Sequence, residues 1–118
     1  MKLKIQQITG QTPPEDERLI LTVVAPVDLS EFMVVNTLRD EQGFKQNHNR
    51  QVYVFPSLQV AKGDKVVLYT GKGIDSRLTI ENNSVRHSFY WGLSKRIWRR
   101  HIGDVYLAHV KAWESKRL

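Results

Sequence analysis

Phe89-Tyr90-Trp91-Gly92-Leu93-Ser94, followed by Ile97-Trp98-Arg99-Arg100 and Gly103-Asp104-Val105-Tyr106-Leu107, is the stretch that decides the fold. Upstream stand two further apolar runs, Val52-Tyr53-Val54-Phe55-Pro56 and Val66-Val67-Leu68-Tyr69-Thr70-Gly71. Both are short, rich in β-branched and aromatic residues, and stopped by proline or glycine, which predicts strands rather than helices. One local pattern competes with this. Val85, Phe89, Leu93 and Ile97 recur at every fourth position beside Lys95, Arg96, Arg99 and Arg100, the spacing of a basic amphipathic helix. Gly92 in mid-segment would cost such a helix about 1 kcal/mol relative to alanine. The consecutive aromatics Phe89-Tyr90-Trp91 also spread beyond any single apolar stripe. A strand-and-turn reading is the better fit.

The same punctuation runs through the rest of the chain. Lys2-Leu3-Lys4-Ile5-Gln6 alternates polar and apolar, the period of a half-buried strand. Thr9 to Asp16, with Gly10, Pro13 and Pro14, reads as a loop, and Arg18 to Ala25 as a central strand. Pro26-Val27-Asp28-Leu29-Ser30 turns the chain, since proline cannot donate to a ladder and Asp and Ser bond nearby backbone. Phe32 to Leu38 is a third strand ending at an Arg39-to-Gly43 hairpin signal, and Lys45 to Arg50 is a polar loop. Val52 to Phe55 and Lys65 to Thr70 are strands separated by the Lys62-Gly63-Asp64 turn. Ile74 to Ser88 reads as a long loop or a weak extra strand, and Val105 to Trp113 supplies the last strand or two. Short strands with regular turns predict an all-β domain of sandwich type.

The 118 residues form one domain, 1–118, large enough for a single core. Without cysteine there is neither a disulfide framework nor a thiolate metal site. The N-terminus lacks the apolar segment of a signal peptide, and no apolar run approaches the roughly 18 residues of a membrane span. The expectation is a soluble protein, cytoplasmic as it stands, with no membrane insertion.

Charge is distributed unevenly. Residues 1–44 hold four Lys/Arg against seven acids, whereas residues 45–118 hold 14 against five. Between Arg86 and His101 five Lys/Arg occur with no acid. A basic field of this kind attracts polyanions and is sensitive to salt.

Five short motifs in order resemble the lamin-tail domain, the immunoglobulin-like β-sandwich of nuclear lamin tails. They are Val27-Asp28-Leu29-Ser30, Phe55-Pro56 with Val60-Ala61-Lys62-Gly63-Asp64, Thr70-Gly71-Lys72-Gly73, Trp91-Gly92, and Trp98-Arg99-Arg100 with Gly103-Asp104. The resemblance is strongest over residues 19–107. Glu31-Phe32 replaces the family's Gly-Trp, and Arg99-Arg100 replaces its Asn-Asn. The family's Asn-rich end of the second strand is Thr22-Val23-Val24-Ala25 here. The resemblance implies a non-catalytic module in which Phe55, Tyr69, Trp91 and Trp98 are core residues. Asp28 and Asp104 would act as turn acceptors.

Motifs for other chemistries are incomplete. Gly71-Lys72-Gly73 lacks the spacing of a phosphate loop. His48, His87, His101 and His109 show no metal-ligand spacing, so neither a metal nor a cofactor is expected. There is no nucleophile-elbow signature, so no catalytic residue is assigned. Asn82-Asn83-Ser84 fits a glycosylation sequon, which has no role without secretion. The positive signal is basic residues interleaved with aromatics. Arg86, Lys95, Arg96, Arg99, Arg100 and His101, with Tyr90, form the expected contact surface for nucleic acid or another polyanion. The second expectation is protein docking through an exposed strand edge or loop.

Overall fold

Alternation on the second strand sets the architecture. Leu19, Leu21 and Val23 are buried, while Arg18, Ile20 and Thr22 between them are only partly covered. One face therefore builds a core and the other carries surface chemistry. The computed structural model describes residues 1–10, 16–38, 42, 50–98 and 103–118. Among these residues there are ten strands and no α-helix: β1 (Leu3–Thr9), β2 (Arg18–Val23), β3 (Val27–Asp28), β4 (Phe32–Leu38), β5 (Gln51–Val54), β6 (Gln59–Val60), β7 (Lys65–Tyr69), β8 (Ser76–Thr79), β9 (Val85–Tyr90) and β10 (Gly103–His109). No helix of the described residues is long and apolar enough to cross a membrane.

The strands form an open five-stranded sheet in the order β1-β2-β7-β9-β8, an open three-stranded sheet β10-β4-β5, and a β3-β6 ribbon. Pairing is antiparallel except between β7 and β9, which run parallel with Lys65 opposite Arg86 and Tyr69 opposite Tyr90. Leu19, Leu21, Val66, Leu68 and Phe89 from the large sheet and Phe32 and Val34 from β4 join Phe55 and Trp98 in one buried cluster. Burying each such side chain is worth roughly 1.5–3 kcal/mol. The rings interlock edge to face, with Phe55 5.4 Å from Phe89 and Trp91 6.2 Å from Trp98. Such pairs add to what area burial alone supplies.

Two aspartates fasten the turns. Asp28 Oδ1 accepts from the Ser30 and Leu58 amides at 2.8 and 3.2 Å, and Oδ2 accepts from the Ser57 hydroxyl at 2.8 Å. The Ser30 amide, with Ser57 after it, holds the Asp28 carboxyl down at about 2. Asp64 closes the Ala61–Asp64 turn at Gly63, whose φ of 91° suits glycine. It also accepts from the Val85 amide at 3.0 Å and faces His87 Nε2 at 3.0 Å. Burial pushes the Asp64 carboxyl up, but the His87 bond and the two amides outweigh it and leave it lowered.

A buried carboxylate secures the segment after β9. Glu17 is fully buried, and its Oε1 accepts from Thr70 Oγ1 at 2.7 Å and from the Ile97 amide at 2.9 Å. Ile97 and Trp98 are thereby seated over the ends of β2 and β7.

Two expectations are refined. Ile74 to Ser88, expected as a long loop or a weak extra strand, holds the extra strand β8 and the first part of β9, paired as a hairpin and turned at Asn82 and Asn83, both left-handed with φ of 57° and 61°. The rival helical spacing from Val85 to Ile97 does not become a helix, in line with the strand-and-turn reading. Val85 to Tyr90 is β9, and the Trp91, Gly92 and Leu93 amides bond to the Tyr69, Gly71 and Thr70 carbonyls, with Gly92 at φ 84°. The last strand stops at His109, and residues 110–118 have no regular structure. The Arg39-to-Gly43 hairpin (apart from Gln42), the loop before Arg50 and most of the Thr9-to-Asp16 loop lie outside the described residues.

Candidate functional site

The large sheet turns Leu19, Leu21, Val66, Leu68 and Phe89 inward, so strict alternation sends Arg18, Ile20, Lys65, Val67, Tyr69, Arg86 and Tyr90 to its outer face. Ile20 pairs directly with Val67, Arg18 with Tyr69, and Lys65 with both Thr22 and Arg86. Arg18, Ile20, Lys65, Val67, Tyr69 and Arg86, with Gln6 and Ile80, line an open groove of about 330 Å³. Lys65 and Arg86 stand at one end, Arg18 at the other, four residues away along β7. At about 3.3 Å per residue the ends are roughly 13 Å apart. Between them the floor is aliphatic.

Among the described residues the cations have no carboxylate partner. Lys65 Nζ donates to Gln6 Oε1 at 2.7 Å and Thr22 Oγ1 at 3.0 Å, both neutral. Arg18 Nη1 donates to the Asp16 carbonyl at 2.8 Å, and the guanidinium carbon lies 5.9 Å from the Tyr69 ring centre. Among the described residues, no carboxylate pairs with Arg18, Lys65 or Arg86. Uncompensated positive charge over an apolar floor attracts anions more strongly than the same charge fully in water.

The sequence-predicted residues are partly brought together. Arg86 is exposed and Tyr90 half-buried, and both belong to this face. Lys95 and Arg96 are exposed on the segment after β9, beyond the sheet. Arg99, Arg100 and His101 lie outside the described residues. Phe55 and Trp98 are buried, at 2 % and 4 % exposure, and Trp91 is half-buried against the same core. Tyr69 is a correction. Expected in the core, it shares the outer face with Lys65 and Val67, because Val66 and Leu68 take the inward positions. Arg18, Lys65, Ile20, Val67 and Ile80 were missed; odd-even parity along β2 and β7 could have signalled the first four, while Ile80, just after β8, carries no such signal.

Tyr90 offers no open ring for stacking. One face lies on Tyr69, with centroids 4.8 Å apart and planes 10° from parallel, and Gly73 presses against the ring as well. The face is therefore equipped for charge contact rather than for holding bases.

No group of three His, Asp or Glu side chains suited to a metal forms among the described residues. His87 and Asp64 are a buried pair, and His109 is stacked on Phe32 at 4.5 Å with Nε2 2.8 Å from Glu31 Oε1. The sequence matches no family model, and no curated protein matches it.

Proposed function

We propose that this chain is a non-catalytic β-sandwich module, immunoglobulin-like as the lamin-tail resemblance implies, that binds an anionic partner such as nucleic acid without strong sequence preference. The observation that carries this reading is the cluster of Arg18, Lys65 and Arg86 about one groove with no carboxylate partner among the described residues. The basic excess of residues 45–118, including Lys95 and Arg96, extends the same attraction. The occupied faces of Tyr69 and Tyr90 favour phosphate contact over base stacking.

Retention on a heparin column and DNA binding across a salt series test it. Each phosphate contact contributes a log–log salt slope of about −0.9 on duplex and about −0.7 on single strands. Arg18→Glu, Lys65→Glu and Arg86→Glu together should abolish retention and leave the fold intact by circular dichroism. Undiminished retention by this triple variant overturns the assignment of the face.

A second reading, docking of a protein segment on a strand edge, is favoured by β8. It is the terminal strand of the large sheet, all four of its residues are exposed, and Leu78 is 55 % exposed. An added strand would complete its ladder.

A further inference from the structure

We propose that the groove on the outer face of the large sheet is a binding site for a small aliphatic carboxylate, its carboxyl group on Lys65 and Arg86 and its hydrocarbon over Ile20, Val67 and Ile80. Nothing in the polyanion reading requires this. Phosphate contact needs only charge, whereas this groove combines charge at its end with an apolar floor in its middle.

Four observations carry the inference. Lys65 and Arg86 are directly opposed on adjacent parallel strands, and both line the groove, so an ammonium and a guanidinium border the same space. A guanidinium suits the planar fork of a carboxylate. Lys65 is held by two neutral acceptors, Gln6 and Thr22, which orient the ammonium without neutralising it. The floor is aliphatic: Ile20 pairs with Val67, and Ile80 reaches the groove from the turn after β8. Finally, Tyr69, the aromatic residue of the lining, is engaged, with Tyr90 stacked on it and the Arg18 guanidinium over its ring. An aromatic body would find no free ring there, but an alkyl chain needs none. The volume of about 330 Å³ falls at the small end of ligand cavities, which begin near 300 Å³.

Covered apolar floors also arise when lysine and arginine stems simply lie over them. The test separates the two cases. Titration of the full chain with octanoate, acetate and octylammonium, followed by backbone amide shifts in two-dimensional NMR, reads the charge and hydrocarbon requirements separately. Octanoate should shift the amides of Ile20, Val67, Ile80 and Arg86 and bind at least tenfold tighter than acetate. Octylammonium should leave them unmoved. Lys65→Gln with Arg86→Gln should weaken octanoate about tenfold, and Ile80→Ser should weaken octanoate while leaving acetate unchanged.

Equal binding of octanoate and acetate, or of octanoate and octylammonium, overturns the proposal. So does the absence of shifts at millimolar octanoate, which would mean that the stems fill the groove. Ile80→Ser also separates this inference from the polyanion reading, since loss of octanoate with unchanged heparin retention is expected only if the hydrocarbon seat exists. Heparin retention without octanoate binding sinks this inference alone.

Discussion

Tyr69 and Tyr90 stand opposite each other on the parallel strands β7 and β9, their rings 4.8 Å apart and within 10° of parallel. The stack is bounded by Arg18 beside Tyr69 and by Gly73 beside Tyr90. A Cβ at Gly73 would overlap the Tyr90 ring. Gly73→Ala should therefore displace Tyr90 and cost about 1–3 kcal/mol, the usual penalty of overpacking. Chemical denaturation measures the loss, and ring shifts of Tyr69 report the broken stack. A fully tolerated alanine would mean that the ring moves aside freely.

Trp98 is 4 % exposed and Trp91 only half-buried. Trp98→Ala should cost about 3–5 kcal/mol, enough to unfold a domain of ordinary stability. Trp91→Ala should cost less. Urea denaturation of both variants checks the order, and equal costs would contradict the difference in burial.

Acid should weaken the fold through its turn aspartates. Asp28 sits at about 2 in the folded chain against 3.8 ordinarily, so its contribution is complete above 3.8 and is lost as pH falls towards 2. Asp64, also lowered, acts in the same direction. Thermal midpoints should fall across this interval, and Asp28→Asn should flatten the slope. An unchanged slope in that variant would show that Asp28 does not govern the acid limb.

Glu17 accepts from both Thr70 and Ile97 within the core. Glu17→Ala leaves a buried hydroxyl and amide without that acceptor and should cost about 1–3 kcal/mol. Glu17→Gln keeps an acceptor oxygen and should recover much of it. Amide exchange at Ile97 should quicken in the alanine variant. Unchanged exchange would mean that another group holds this segment.

The strands were legible where one face is apolar and the next residue is not. Phe32 to Leu38 appears with the expected bounds, and β2 falls within the expected Arg18 to Ala25. The turn at Asp28 was legible as well, because one of its donors, the Ser30 amide, lies two residues on, whereas Ser57 and Leu58 come from a distant segment. Tyr69 was misjudged because Val66-Val67-Leu68 are all buried, and a continuous apolar run conceals which side each residue takes. Phe89-Tyr90-Trp91 conceals parity in the same way. Arg86 and Tyr90 were found as candidates from local composition. Arg18 and Lys65 were not, since only the β2-β7-β9 order sets them beside Arg86, and that order is a property of the whole sheet.

The pairing of β10 with β4 carries a kinetic consequence. Leu38 meets Gly103 and Phe32 meets His109, partners separated by most of the chain. The parallel β7–β9 pair likewise needs the intervening chain that carries β8 to return to the start of β7. Such contacts yield nothing until large loops have closed, so folding should take milliseconds to seconds rather than microseconds. Until β10 arrives, one edge of β4 stands open, and the half-formed domain is most prone to pair with another copy of itself during that interval.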